Sequence, residues 1–367
     1  MTGLYILGLF WFCKRGKTAC LPVPDSIFPY QKRLKQLERD LSYLTVDDVN
    51  IEITETALGQ GHIGFVFKGF VLPKTENRFK QKVCCAVKMS FPIPSKSIIL
   101  LEEAARMARL DHPNIVKIIA VSKLSFSVLR PLIVMEWLPG GSLSEYFRHY
   151  IREREERERP TIKLREILHI LSQIAEALKY IHNSEDDYGR EFTHGDIAAR
   201  NVLLTSIDIS ECTAKLGDFG VPVDCGKFPI AWMPPEVLCA AEPYFNPRQE
   251  SDTWMFGVLI WECLTLGAEP HFQRSIDDIR RCFKLPDKGL ACPPGTPLDV
   301  WSLLMECLLE AHRRPRFIGP NGLAHRLDQM KKSYATSTHV LLPLPNISNC
   351  TCNEHRCKAA TAPDYCY

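Results

Sequence analysis

The chain has 367 residues, enough for one large or two medium domains, with the 46% hydrophobic and 24% charged content of a folded globular protein. A formal net charge of +2 gives no electrostatic case for a nucleic-acid partner. Of the 15 cysteines, Cys239, Cys263, Cys282 and Cys307 are scattered singly through apolar segments. That is the pattern of buried thiols in a reducing compartment and argues against a disulfide framework.

Residues Gly3 to Cys13 form an apolar run followed by Lys14, Arg15 and Lys17. As a helix the run spans only about 17 Å, against roughly 30 Å of hydrocarbon. The basic residues follow the apolar run, whereas a signal peptide carries them before it. Residues 1–20 therefore read as the inner end of a membrane span with a stop-transfer cluster, basic side in the cytoplasm, or as a frayed terminal segment. Cys13 and Cys20 stand where palmitoylation could add an anchor. Residues 21–48 read as a polar juxtamembrane linker with one basic helical patch, Gln31 to Arg39, and the folded domain is expected from about Val49.

Ile51 to Lys68 alternates as two strands joined by Leu58-Gly59-Gln60-Gly61-His62-Ile63-Gly64-Phe65-Val66. Glycine backbone can approach phosphate oxygens closely. In dinucleotide folds such a motif opens a helix, but here Phe65-Val66-Phe67 continues as a second strand. Val83 to Met89 is an apolar strand carrying Lys88, and a buried lysine needs a partner. Glu102 and Glu103, in the helical segment Ser97 to Leu110, are the candidates.

Leu132 to Leu138 is another buried strand, broken by Pro139-Gly140-Gly141-Ser142-Leu143. Tyr150 to Arg159 is a dense mixed-charge run, read as a solvated helix or insertion. Leu164 to His182 has the period of an amphipathic helix, and Asn183 to Arg190 is a polar insertion. Then comes His194-Gly195-Asp196-Ile197-Ala198-Ala199-Arg200-Asn201, followed by the apolar Val202-Leu203-Leu204 and, 17 positions after Asn201, by Asp218-Phe219-Gly220. Trp232-Met233-Pro234-Pro235-Glu236, an apolar helix opened by Ser251-Asp252-Thr253-Trp254, and Arg313-Arg314-Pro315-Arg316-Phe317 complete the series. The last helix closes near Lys332. Residues 333–367 read as a disordered tail, in which Cys350, Cys352, His355 and Cys357 match no closed zinc site.

In this order, from about Val49 to Lys332, these motifs resemble the protein-kinase family. The resemblance implies an α+β bilobal fold, with a small β-rich lobe over 49–136 and a larger, mainly helical lobe over 138–332. It implies Mg-ATP as phosphoryl donor and a protein as acceptor. Asp196 would take the proton of the attacking hydroxyl, and Arg200 would offset charge on the transferring group. Asn201 and Asp218 would hold Mg2+. Lys88 would position the phosphates, paired with Glu103, which lies nine positions before His112 as in kinases. Gly59, Gly61 and Gly64 would cover the phosphates. Leu58, Val66, Ala86 and Leu203 would enclose the nucleotide, with the backbone of Glu136 and Leu138 on the adenine edge and Met135 behind it. Asp252 would bond the catalytic-loop backbone, Glu236 and Arg314 would form a structural ion pair, and Met107, His194 and Phe219 would stack.

Arg200 four positions after Asp196, with Pro229 before Trp232, is similar to the tyrosine kinases. Serine/threonine kinases carry a lysine two positions after the aspartate. The wording of the motifs looks most like the anaplastic lymphoma kinase and leukocyte tyrosine kinase branch. The implied activity is a membrane-associated, receptor-type protein tyrosine kinase with its catalytic domain in the cytoplasm, and a dimer is allowed. Three departures stand out. Gly195 replaces the arginine usual before the catalytic aspartate. The segment from Asp218 to Glu236 is short and has no Ser, Thr or Tyr between Gly220 and Trp232. Ala231 stands where a basic residue is common. They leave open an alternative, a pseudokinase scaffold that binds nucleotide or a partner without efficient transfer.

Overall fold

The computed structural model describes residues 29–61, 63–72, 81–127, 129–154, 161–185, 189, 191–219, 229–240 and 248–344. The apolar N-terminal run, the segment Gly220 to Phe228 and the Cys/His tail cluster lie outside them. The described chain forms two units, one made of residues 29–111 and 117–137, the other of 112–116 and 138–344.

The first unit is β-rich. It comprises α1 (Gln31–Asp40), β1 (Thr45–Val46), β2 (Ile51–Gln60), β3 (Gly64–Val71), β4 (Val83–Ser90), α2 (Pro94–Met107), β5 (Ile118–Ser122), α3 (Leu124–Ser127) and β6 (Leu132–Glu136). Its sheet has the order β1-β5-β6-β4-β3-β2, antiparallel except for the parallel β1–β5 pair. Strand alternation sorts the residues: Val71, Cys85, Val87, Ala120 and Val134 pack with Val46 in one buried cluster. Their neighbours turn to the other face, where Lys88 stands opposite Val66 and Ile133, and Ala86 opposite Met135.

The expected linker is part of this fold. Leu34, Leu37 and Leu41 recur at helical spacing on an otherwise charged stretch and are buried, and β1 adds an edge strand. The fold therefore includes residues ahead of Val49.

The second unit is mainly helical. It holds β7 (Gly141–Ser142), α4 (Leu143–Arg154), α5 (Leu164–His182), β8 (Val202–Leu204), β9 (Ala214–Leu216), α6 (Pro235–Leu238), α7 (Gln249–Leu264), α8 (Ile276–Cys282), α9 (Leu298–Cys307) and α10 (Leu323–Ser333). Helix α5 is opened by Glu166, whose carboxylate accepts the Lys163 backbone N–H at 2.8 Å. The mixed-charge run begins inside α4, where Tyr150 is buried and its hydroxyl accepts the Ile162 N–H. Helix α7 is buried nearly all round, so it forms the core of this unit.

Residues 334–344 do not leave the domain as a free tail. The Leu164 N–H bonds His339 O at 2.9 Å, the Leu341 N–H bonds Ile162 O at 2.9 Å, and the Leu341 side chain is buried. Among the described cysteines, all free thiols, Cys263, Cys282 and Cys307 are buried as expected, but Cys239 is exposed in the turn after α6.

Candidate functional site

In the β-rich unit, the central strand β4 holds Lys88 with 8% of its surface exposed. A buried ammonium costs several kcal/mol unless it is paired and hydrogen-bonded. Glu103 of α2 supplies both carboxylate oxygens, at 2.8 and 3.0 Å from Nζ. Successive helical residues point about 100° apart, so Glu102 faces elsewhere and accepts from Arg33 at 2.7 Å. Gly59 stands opposite Val66 in the β2–β3 pair, and the Gly61 N–H bonds Gly64 O at 2.8 Å to close the hairpin. A Cβ at Gly59 or Gly61 would meet nothing, whereas one at Gly64 would lie 1.7 Å from Met89 O. Gly64 is therefore required by packing against β4, and Gly59 and Gly61 are the two that keep a surface open. Glu136 gives its N–H to Lys117 O at 3.0 Å and its carboxylate accepts the Lys117 N–H.

In the helical unit, Leu138 is buried and its carbonyl accepts the Gly141 N–H at 3.1 Å. His194 is fully buried, with its ring centroid 4.5 Å from that of Phe219. Its Nδ1 accepts the Asp196 N–H at 3.2 Å, which leaves Nε2 to donate to Gly217 O at 3.0 Å. Both ring nitrogens are thus used in holding the loop, and His194 is a packing residue.

The Asp196 carboxylate is held from two sides. Asn201 Nδ2 donates to Oδ2 at 2.9 Å and to the Asp196 carbonyl at 2.7 Å, while Arg200 donates to Oδ1. Both amide hydrogens of Asn201 are spent on Asp196, so its amide oxygen is the atom offered elsewhere. The β8–β9 register brings Asp218 to the same end of that hairpin, since Val202 pairs with Leu216 and the Gly217 N–H bonds Asn201 O at 3.0 Å. Leu203 lies beside Gly217. Asp218 is exposed and takes φ 53°, a left-handed backbone unusual for a non-glycine residue and typical of functional sites. An amide oxygen and a carboxylate are the hard donors that Mg2+ accepts, and few protein ligands suit a cation also bound by phosphates. Among the described residues no group of three or more His, Cys, Asp or Glu forms a metal cage.

Beneath this loop lie two acids of α7. Asp252 accepts the His194 and Gly195 N–H groups, each at 2.8 Å, and pairs with His182 Nε2 at 2.8 Å. Glu262 accepts the Ala199 N–H at 3.0 Å. Burial pushes the Glu262 carboxyl up to about 7, although the Trp232 indole, the Ala199 N–H and the Arg200 charge all oppose this. The indole N–H closes no hydrogen bond of normal geometry, so its influence is that of a nearby dipole. The same Trp232 ring lies under the Arg200 guanidinium at 4.5 Å. Glu236 and Arg314 form a bidentate pair at 2.6 and 2.8 Å. The sequence reading missed Glu262, Trp232 as a partner of Arg200, and His182. An acid inside the apolar run Ile260-Trp261-Glu262-Cys263-Leu264 was the available signal.

Residues 52–319 match the family model for protein tyrosine and serine/threonine kinases. The chain belongs to that family. It is 51% identical to Protein nipi-4 of Caenorhabditis elegans over 364 residues, covering 98% of this chain and 92% of that protein. It is 28% identical to the tyrosine-protein kinase transforming protein ros of UR2 avian sarcoma virus, over 75% of this chain and 68% of that protein. It is 29% identical to human tyrosine-protein kinase ZAP-70, over 81% of this chain but 45% of that protein. Family membership carries with it Mg-ATP and a protein acceptor as substrate class, and the β-rich and helical units are the two lobes of the kinase fold. No helix among the described residues is long and apolar enough to cross a membrane.

Proposed function

We propose that this protein transfers the γ-phosphoryl group of Mg-ATP to tyrosine hydroxyls of proteins. The observation that carries the reading is the Asp196 carboxylate, oriented by Asn201 and Arg200 while still 27% exposed. A base held in one orientation but open to solvent on one side is suited to accept a hydroxyl proton. Lys88, fixed by Glu103, would neutralise phosphate oxygens. Asn201 and Asp218 would hold Mg2+, which screens the phosphate charge when bound. Such catalysis is positioning and electrostatics, so each charged member matters. Arg200 four positions after Asp196, with Pro229 before Trp232, supports tyrosine as acceptor. The receptor-type, membrane-anchored form of the proposal rests on Gly3 to Cys13 and the basic residues after it, and its kinship within the tyrosine kinases rests on motif wording.

A second reading, a scaffold that binds nucleotide without efficient transfer, is favoured by Gly195 and the short segment from Asp218 to Glu236. One experiment separates the two: the purified chain is incubated with Mg-ATP and a tyrosine-containing polypeptide, and phosphoamino acids are identified. Phosphotyrosine is expected, with Lys88→Met and Asp218→Asn each losing on the order of 10²-fold or more in rate, thermal unfolding being followed alongside. Nucleotide binding without incorporation would establish the scaffold, and predominant phosphoserine would overturn the acceptor assignment.

A further inference from the structure

The pairing of Lys88 with Glu103 requires α2 to be held at a fixed position against the sheet. At its N-terminal end α2 is tied by Ser97, whose hydroxyl bonds Leu129 O at 2.9 Å and meets Ser90 Oγ at 2.8 Å. The half that carries Glu103 has a different support. Helix α1 packs on α2 and α3, and its Leu34 and Leu37 are 5% and 0% exposed. Arg33 bonds Glu102, the residue next to Glu103, at 2.7 Å, and Tyr43 donates its hydroxyl to Ala108 O, at the C-terminal cap of α2, at 2.9 Å. Directly after Tyr43, β1 enters the sheet by pairing with Val121 and Ser122 of β5. Residues 31–46 thus run from α2 to the sheet that carries Lys88.

We propose that this segment is a positioning element for the Lys88–Glu103 pair, acting through Arg33 and Tyr43. The apolar residues of α1 supply adhesion without direction, because burial is non-directional. The two polar interactions are directional and help to fix α2 in rotation and along its axis, one beside Glu103 and one at its cap. Without them, α2 turns within an intact fold and Glu103 leaves Lys88 for part of the time. The catalytic consequence rests on the kinase reading above; the structural one does not.

Both interactions are at the surface, with Tyr43 62% exposed, so variants there keep the fold. The test uses the full chain as wild type, Arg33→Glu, Tyr43→Phe, the double variant, and the charge exchange Arg33→Glu with Glu102→Arg. Amide hydrogen exchange of residues 100–107 is compared with that of α7. Exchange in α2 should quicken by about fivefold on removal of either hydrogen bond and remain unchanged in α7. The charge exchange should return α2 to the wild-type rate, which lost helix stability alone would not do. In a transfer assay kcat/KM should fall by a similar factor and recover with the exchange. Unchanged α2 exchange in the double variant, or no recovery in the charge exchange, would overturn the proposal. Altered exchange in a chain whose wild type transfers no phosphate would retain the positioning element and remove the kinase reading.

Discussion

The two ends of α7 bury one carboxylate each, and the two behave in opposite ways. Asp252, in the first turn, is held below the usual carboxylate range even though burial pushes it up, because the His182 imidazole and the His194 backbone N–H donate hydrogen bonds to it. Glu262, in the last turn, is pushed up to about 7 by the same burial. Asp252 receives two backbone N–H groups and an imidazole, whereas Glu262 receives one N–H from Ala199. The helix dipole adds to the contrast, since it favours negative charge at the N-terminus and opposes it at the C-terminus. Burial therefore sets the cost of a charge here, and the number of donors decides whether the charge survives. One end fixes the loop before Asp196 with a permanent anion, and the other supports it with a group that changes charge near neutral pH.

The largest effect is expected at the fixed end. Asp252→Asn offers one carbonyl oxygen to two N–H groups and turns its own NH2 toward the other. It should destabilise the domain by about 3–5 kcal/mol, the range for removing one partner of a buried pair, and abolish transfer. Urea unfolding checks it, and a loss under about 1 kcal/mol would mean that Asp252 is not the anchor.

At the other end the sign reverses. The folded carboxyl of Glu262 binds its proton more tightly than the ordinary value of 4.5, up to about 7. Its contribution to stability is therefore complete below about pH 4.5 and is lost as pH rises through about 7. Glu262→Gln keeps an oxygen for the Ala199 N–H but never ionises. It should match wild type near pH 4.5 and exceed it at pH 8 by about 2–3 kcal/mol. Unfolding at the two pH values decides the matter; equal pH dependence in both proteins would show that Glu262 is already ionised in the fold.

The sequence disclosed the fixed end and not the other, for a physical reason. Asp252 lies in Ser251-Asp252-Thr253-Trp254, a motif whose resemblance carried its bond to the loop. Asp196, Asn201, Asp218 and the Arg314–Glu236 pair were legible in the same way. Lys88 announced its need for a partner by sitting in an apolar strand, and helical geometry then separates Glu103 from Glu102. Glu262 gave only the weak signal of an acid in an apolar run, because its partner is a backbone N–H that no side-chain pattern encodes. Residues 31–41 look like linker in the sequence because three leucines among charged residues do not reveal what they pack against. Residues 334–344 join α5 through backbone bonds and likewise left no pattern.

A smaller change tests the backbone at the fixed end. Gly195 has φ 80° while giving its N–H to Asp252. Any residue with a Cβ takes that conformation at about 1–2 kcal/mol. Gly195→Arg should therefore lower stability by that amount and not raise the rate. An arginine variant clearly faster than the parent would show that the missing guanidinium, and not the loop geometry, limits the proposed transfer.

The smallest expected effect is Trp232→Phe, which isolates the weakest influence on Glu262. The phenyl ring can still lie under Arg200, so the cation–π interaction, observed at 4.5 Å with the indole, is largely kept. What is removed is the indole N–H, a buried group without a hydrogen bond of its own. Its loss relieves an unsatisfied donor, which is stabilising, and withdraws a dipole that favoured the Glu262 anion, which raises that carboxyl further. At low pH, where Glu262 is protonated in both proteins, only the first effect operates, and the variant should equal or slightly exceed wild type. At pH 8 the second opposes it, so the difference should shrink or reverse, all within about 1 kcal/mol. The observable is the pH at which the loss of stability with rising pH levels off in each protein, and it should lie higher in the variant. A downward movement would mean that the indole holds Glu262 neutral, which would leave Ala199 and Arg200 as the only groups favouring its charge.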